Sequence, residues 1–241
     1  LPNFDGMTDH SESRCENCII RELNALKTLK KEELKQISDS KISRTIKKGE
    51  AIFREGEQLN GVFCVRNGVS KLSKISENGK DQIVKIATKG EVMGQRSLIA
   101  EEATNLSAVA LNDMEVCYIP KSNITQTLTD NPAFVAAILK HMAQELKQAD
   151  DLIVNMAQKS VSQRIAEVLL YLEKNFGCDE AGYFNLVLSR ADIAAVVGTA
   201  TELCIRTLAK MKKQQLIATK GKRIRILNKE GLMQLQNGGN F

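Results

Sequence analysis

The 241-residue sequence predicts an α+β chain: a jelly-roll or double-stranded β-helix, then a long helix, then a C-terminal winged helix-turn-helix. Three observations predict it. Short alternating segments punctuated by glycines fill residues 42–119, an apolar stripe of helical period follows Pro132, and helix, glycine, helix and basic hairpin signals succeed one another between Leu188 and Leu227.

Residues 1–22 read as a leader. Leu1 to Ser13 is polar and unpatterned, and Cys15-Glu16-Asn17-Cys18 follows it. The stretch 23–130 reads as the roll. Its strand signals are ISRTI, VFCVR, VSKLSKI, QIVKIA and MEVCYI, with Asn67-Gly68 and Asn78-Gly79 as tight-turn signals. Residues 131–158 predict one helix of about 25 residues, opened by Pro132 and striped by Val135, Ile138, Leu139, Met142, Leu146, Ile153 and Met156. Such a helix outruns what one small roll can cover. A seam of Leu139, Met142, Leu146 and Ile153 between two copies is therefore expected, making a homodimer.

Residues 159–241 carry the reading unit. Ser189 can cap a first helix with Asp192 three residues on, and Ile193, Ala194 and Val197 form its apolar side. Gly198 breaks it. A second helix from about Ala200 to Lys213 puts Cys204, Leu208 and Met211 on its core side and Glu202, Arg206 and Lys210 on another. Ile217 to Ile226 then predicts a hairpin presenting Lys220, Lys222 and Arg223 at its tip. This layout implies a double-stranded DNA partner, read at two half-sites by the two copies. A guanidinium can donate twice to guanine while a carboxylate accepts from cytosine, so Glu202 and Arg206, one turn apart, can read adjacent base pairs. The plain alternatives are an intrahelical salt bridge between them, or a capping box joining Thr199 to Glu202.

Charge supports the same assignment. Residues 160–241 hold 12 Lys and Arg against 7 Asp and Glu, an excess of +5 that equals the net charge of the whole chain. The basic excess is thus confined to the part that would neutralise phosphate. No apolar run is long enough for a membrane span and no basic-then-apolar leader is seen, so a cytoplasmic protein without a membrane partner is expected. Six cysteines then mean thiols or metal ligands rather than a disulfide framework. An enzyme is not expected: the histidines are His10 and His141 alone, and neither a phosphate-loop nor a dinucleotide-binding fingerprint is present.

From about Cys15 to Leu235 the chain resembles the Crp/Fnr transcription regulators. The resemblance is strongest in Ser189-Arg190-Ala191-Asp192-Ile193, Val197-Gly198, and Glu202 with Arg206. It implies a cyclic-nucleotide-binding-like roll, base contacts from Glu202 and Arg206, and a phosphate contact from Arg190. Ser189, Thr199 and Thr201 belong to the same DNA-facing set. Contact with RNA polymerase is implied too. Family members often carry a further reader where this chain has Thr201 and Ile205, so the full half-site does not carry over.

The family's cyclic-AMP pocket uses a Gly-Glu pair and an Arg-Ser pair. Here Gly90-Glu91 is kept but the second pair is Leu106-Ser107, which removes the phosphate's charged partner, and cyclic AMP is not expected. Asp150, with Asp151, falls where the family's dimer seam approaches the effector. Cys15, Cys18 and Cys117 resemble the iron–sulfur ligands of the Fnr branch, but the remaining ligand falls on Asn24. Two free surface thiols, reversible thiol oxidation or zinc are the alternatives. Cys64, Cys178 and Cys204 read as buried packing. The effector stays open. A cyclic-nucleotide-binding regulatory module without DNA binding is the alternative function.

Overall fold

A computed structural model describes residues 14–77 and 79–239. Leu1 to Ser13, with His10, and Asn78 of the second tight-turn signal lie outside them. Two compact units are present, one of the described residues up to 74 with 84–146, the other of 75–83 and 147 onward.

In the first unit, Cys15 to Thr28 winds through three short 3-10 turns into helix α1 (Lys31–Ser40). Eight strands follow: β1 (Ile42–Ile46), β2 (Ala51–Phe53), β3 (Gly61–Asn67), β4 (Ser70–Ile75), β5 (Asp81–Ala87), β6 (Val92–Met93), β7 (Ser107–Ala110) and β8 (Met114–Pro120), with α2 (Gln95–Ala100) between β6 and β7. They form two four-stranded sheets, ordered β1-β8-β3-β6 and β2-β7-β4-β5. The chain crosses back and forth between the sheets, the jelly-roll arrangement that the spaced strand signals predict.

Both faces of the first sheet are covered, and strand period decides which residue meets which cover. Phe63 and Val65 of β3 and Met114 and Val116 of β8 face the core between the sheets, with Phe53, Leu72 and Leu106. Val62 and Cys64, Cys117 and Ile119 point the other way, into a second core shared with Cys15, Ile20, Leu26, Leu34, Ile37, Ile124, Phe134 and Ile138. That second core binds the N-terminal turns and α1 to the roll, so residues 14–22 are packed structure and not a loose leader.

After α3 (Lys121–Asp130) comes α4 (Pro132–Gln158), a single helix of 27 residues. Its apolar stripe divides. Phe134 and Ile138 are buried in the second core, and Met142, half-buried, packs against that core. Leu139, Leu146 and Ile153, spaced by seven, are 61%, 65% and 67% exposed, and Asp150 is exposed between the last two.

In the second unit, α5 (Val161–Phe176), α6 (Arg190–Val197), α7 (Thr201–Lys213), the hairpin β9 (Ile217–Lys220) and β10 (Arg223–Ile226), and α8 (Lys229–Gln236) enclose one core. Leu169, Ile193, Leu208, Met211, Ile217 and Leu232 fill it. No helix among the described residues is long and apolar enough to cross a membrane.

Candidate nucleic-acid interface

Ser189 starts α6 as its N-cap. Its hydroxyl accepts from the Asp192 amide at 3.0 Å and donates to the Asp192 carboxylate at 2.6 Å, a reciprocal cap that occupies this side chain within the fold. Gly198 ends the helix with φ +69°, a left-handed turn that glycine adopts without strain. Thr199 follows with its amide bonded to the Ala194 carbonyl at 3.0 Å.

Helix α7 has Ala200 as N-cap, which puts Thr201 first and Glu202 second. Glu202 therefore stands one position short of a capping box with the N-cap, and the Thr199 pairing does not form. Cys204, Leu208 and Met211 are buried, whereas Glu202, Ile205 and Arg206 are exposed. Among the described residues neither the Glu202 nor the Arg206 side chain takes part in a hydrogen bond or ion pair. The intrahelical salt bridge is absent, and both groups are left open to an external partner.

The wing keeps its expected turn but departs from expectation at Arg223. Lys220 pairs with Arg223 across the hairpin, so Gly221 and Lys222 make the turn, and Lys220 and Lys222 are exposed. Arg223 is not displayed at the tip. Its guanidinium lies over the Tyr183 ring at 4.7 Å and is paired with Asp179, a cation–π and ionic anchor that turns it back onto its own unit. Arg190 also serves the fold. It donates to the carbonyls of Gly221 at 3.2 Å and Lys222 at 3.4 Å and so clips the wing turn to the start of α6.

One half-buried cation that sequence reasoning missed fixes this unit. Arg164 of α5 donates to Val197 O at 2.8 Å, Met156 O at 3.1 Å and Lys159 O at 2.5 Å. The first is a free carbonyl at the end of α6 and the others belong to the end of α4 and the residue after it. A fixed positive charge there satisfies groups that helices leave unpaired. Nothing in the local sequence distinguishes Arg164 from a solvated arginine; only the tertiary fold brings three carbonyls to it.

Of the residues of the degenerate effector pocket, Glu91 and Leu106 line one small cavity. Ser107 Oγ accepts from the Glu55 amide at 3.0 Å, and Leu106 is buried in the core between the sheets. Glu91 is paired with Lys85 at 2.6 Å, and Lys85 also holds Glu145 of α4 at 2.8 Å. Burial lowers the Lys85 pKa, but Glu91 and Glu145 more than offset it and leave it raised. A hydrogen bond from His141, and then Lys85, hold the Glu145 carboxyl down to about 2 against burial. The free space among Lys85, Glu91, Leu106 and Glu145 is about 30 Å³. Small-molecule sites span roughly 300–1,000 Å³, well above this space.

The cysteines are placed unlike the sequence reading. Cys15 is buried in the second core and Cys18 packs against it, so neither is simply a surface thiol. Cys178 is exposed, correcting its reading as packing, while Cys204 is fully buried. Asn24 is no ligand. Its Oδ1 accepts from the Leu26 amide at 2.9 Å, and its Nδ2 donates to Gly90 O at 3.0 Å and to Cys64 Sγ at 3.5 Å. Gly90 has no side chain because Leu23 presses on it there, at φ +92°. Cys64 and Cys117 are directly opposed across β3 and β8. Burial, then the thiols of Cys117, Cys18 and Cys15, push Cys64 up to about 12, and burial raises Cys117.

Comparison with known proteins agrees with this architecture. The cyclic nucleotide-binding domain family matches residues 43–131, and the Crp-like helix-turn-helix domain family matches residues 163–235. The fumarate and nitrate reduction regulatory protein of Vibrio cholerae is 30% identical over 227 residues, covering 92% of this chain and 89% of its own. The transcriptional activator protein Anr of Pseudomonas protegens is 28% identical over 232 residues, covering 95% of each. A crystal structure of a Crp/Fnr-family regulator from Eubacterium rectale shares the fold with a TM-score of 0.77 and 21% identity, covering 88% of this chain and 97% of its own. With its roll, its long helix and a winged helix that leaves Glu202 and Arg206 unpaired, the chain belongs to the Crp/Fnr family of DNA-binding transcription regulators and is not an enzyme.

Proposed function

We propose that the chain acts as a homodimer whose two α7 helices enter successive major grooves of a two-fold DNA site, with Arg206 and Glu202 reading base edges. The observation that carries this is the unpaired Glu202 and Arg206, one turn apart and opposite the buried Cys204, Leu208 and Met211. In the major groove the guanidinium meets guanine O6 and N7 and the carboxylate meets cytosine N4. Ile205, 48% exposed beside Arg206, offers an apolar contact to a thymine methyl. Thr199 and Thr201 flank the helix start, where phosphate lies.

Lys220 and Lys222 supply backbone charge from the wing. Arg190 and Arg223 support them from within the fold, Arg190 by holding the wing turn and Arg223 by stacking on Tyr183. The heptad Leu139, Leu146 and Ile153 is the dimer seam. RNA polymerase is the next partner by family membership, and the cytoplasm is the compartment where this DNA is met. The signal is not cyclic AMP, since Glu91 is held by Lys85 and the arginine of the pocket is missing.

Binding to a selected palindrome at rising salt tests the assignment. Arg206→Ala is expected to flatten sequence preference by about 1–3 kcal/mol at one base pair while retaining nonspecific affinity. Lys222→Ala is expected to weaken all sequences alike and to lower the salt slope by about 1. Unchanged discrimination by the Arg206→Ala protein would exclude Arg206 as a reader.

A further inference from the structure

We propose that the cleft lined by the N-terminal turns, the outer face of the first sheet and α4 binds a single anionic amphiphile, an alkyl or aryl chain that carries a carboxylate. Its volume is about 540 Å³, inside the range of roughly 300–1,000 Å³ that small-molecule sites span. It is not the degenerate effector pocket. The small space beside Lys85 shares only Glu91, Val92 and Gln95 with it, and no cysteine lines it.

The walls select the tail. Val62 and Ile119, which point outward from β3 and β8, and Phe134 and Ile138, one turn apart on α4, give the cleft apolar sides. Leu23 and Ile99 line it as well. They are 61% and 37% exposed, so two large apolar side chains still meet water at this cleft. A hydrocarbon chain laid against them removes that surface from water, which is favourable in proportion to the area covered.

The polar lining selects the head. Lys27 in the last 3-10 turn, Lys89 in the turn after β5 and Lys140 on α4 bring three exposed ammonium groups to the cleft from separate elements. Among the described residues none of these side chains has a hydrogen bond or ion pair. Gln95 of α2 adds a second, independent sign. It is only 6% exposed, and its Nε2 is buried without an acceptor. A buried donor left unpaired is costly, and an acceptor brought to it recovers that cost. The one acid of the lining, Glu91, is already held by Lys85 at 2.6 Å, and His141 lies 3.6 Å from Glu145. The cleft thus offers unpaired donors and positive charge but no unpaired anion. A carboxylate supplies both the charge and the acceptor oxygens that this set lacks.

Calorimetric titration of the full chain with dodecanoate below its micelle concentration tests the assignment, with dodecanol and dodecyltrimethylammonium presenting the same tail under a neutral and a cationic head. Wild type is expected to take up one dodecanoate saturably and to bind the other two roughly 10- to 100-fold more weakly, the loss that follows when a charged hydrogen bond is removed. Replacing Lys27, Lys89 and Lys140 together by Gln is expected to weaken dodecanoate by a similar factor and to leave dodecanol unchanged. Gln95→Met is expected to weaken dodecanoate more than dodecanol. Ala137→Phe, on the α4 wall, fills the cleft and is expected to abolish uptake of both with unchanged circular dichroism. Equal affinity for the three heads, uptake that does not saturate, or no uptake at all would overturn the proposal. So would wild-type dodecanoate affinity in the triple lysine variant and in Gln95→Met. The titration contains no DNA, so failure here is separable from failure of the groove assignment.

Discussion

Leu146→Asp is expected to leave the protein monomeric and to cut its affinity for a duplex with two half-sites about 100- to 10,000-fold, the advantage that linking two binding events confers. Leu146 is the middle residue of the exposed heptad, and each Leu that a second copy buries contributes about 1.5–3 kcal/mol. Aspartate removes that burial twice and sets two carboxylates against each other across the two-fold axis. The substitution touches no core of its own chain, so the roll and winged helix keep their melting behaviour. Sedimentation velocity reads the oligomeric state, and a titration with one isolated half-site separates lost dimerisation from lost groove contact. A dimer that persists with Asp at position 146 would remove α4 as the seam.

Arg164→Ala is expected to destabilise the winged-helix unit by about 3 kcal/mol, since three carbonyls lose a charged donor together and remain partly buried. For a unit of this size that lowers the melting temperature by roughly 10–20 °C. Affinity for specific and nonspecific DNA falls alike, because the end of α6 and hence the approach of α7 to the groove lose their anchor. Arg164→Lys recovers only a part, as an ammonium cannot span three acceptors in the fixed plane of a guanidinium. Calorimetric melting of the two variants measures this directly; a melting temperature unchanged in Arg164→Ala would show the three bonds to be replaceable by water.

The legible parts of this chain were those fixed by local chemistry. Ser189 with Asp192, Gly198, and the spacing of Cys204, Leu208 and Met211 fix α6, the turn and α7 without reference to distant residues. The same holds for α4, whose period and opening proline mark its length. Long-range partners were not legible. Arg223 reads as a displayed cation until Tyr183 and Asp179 come under it, and Arg190 as a phosphate contact until the wing turn folds back to it. Met142 shares one apolar stripe with Leu139 in sequence, but only the core beside α4 shows that Met142 is half-covered within its own chain. Cys64 is the sharpest case. Its apolar flanks, Phe63 and Val65, belong to the opposite face of the strand, so the run around it says nothing of the thiols that it meets.

The most direct test of groove reading by Arg206 pairs a protein change with a base change. In a selected half-site each guanine is replaced in turn by 7-deazaguanine, which lacks only the N7 acceptor, and binding is measured for wild type and Arg206→Ala. One guanine is expected at which wild type loses about 1–3 kcal/mol and Arg206→Ala loses nothing further. Equal losses for the two proteins at every guanine would mean that Arg206 touches none of them, and that α7 does not read DNA with this side chain.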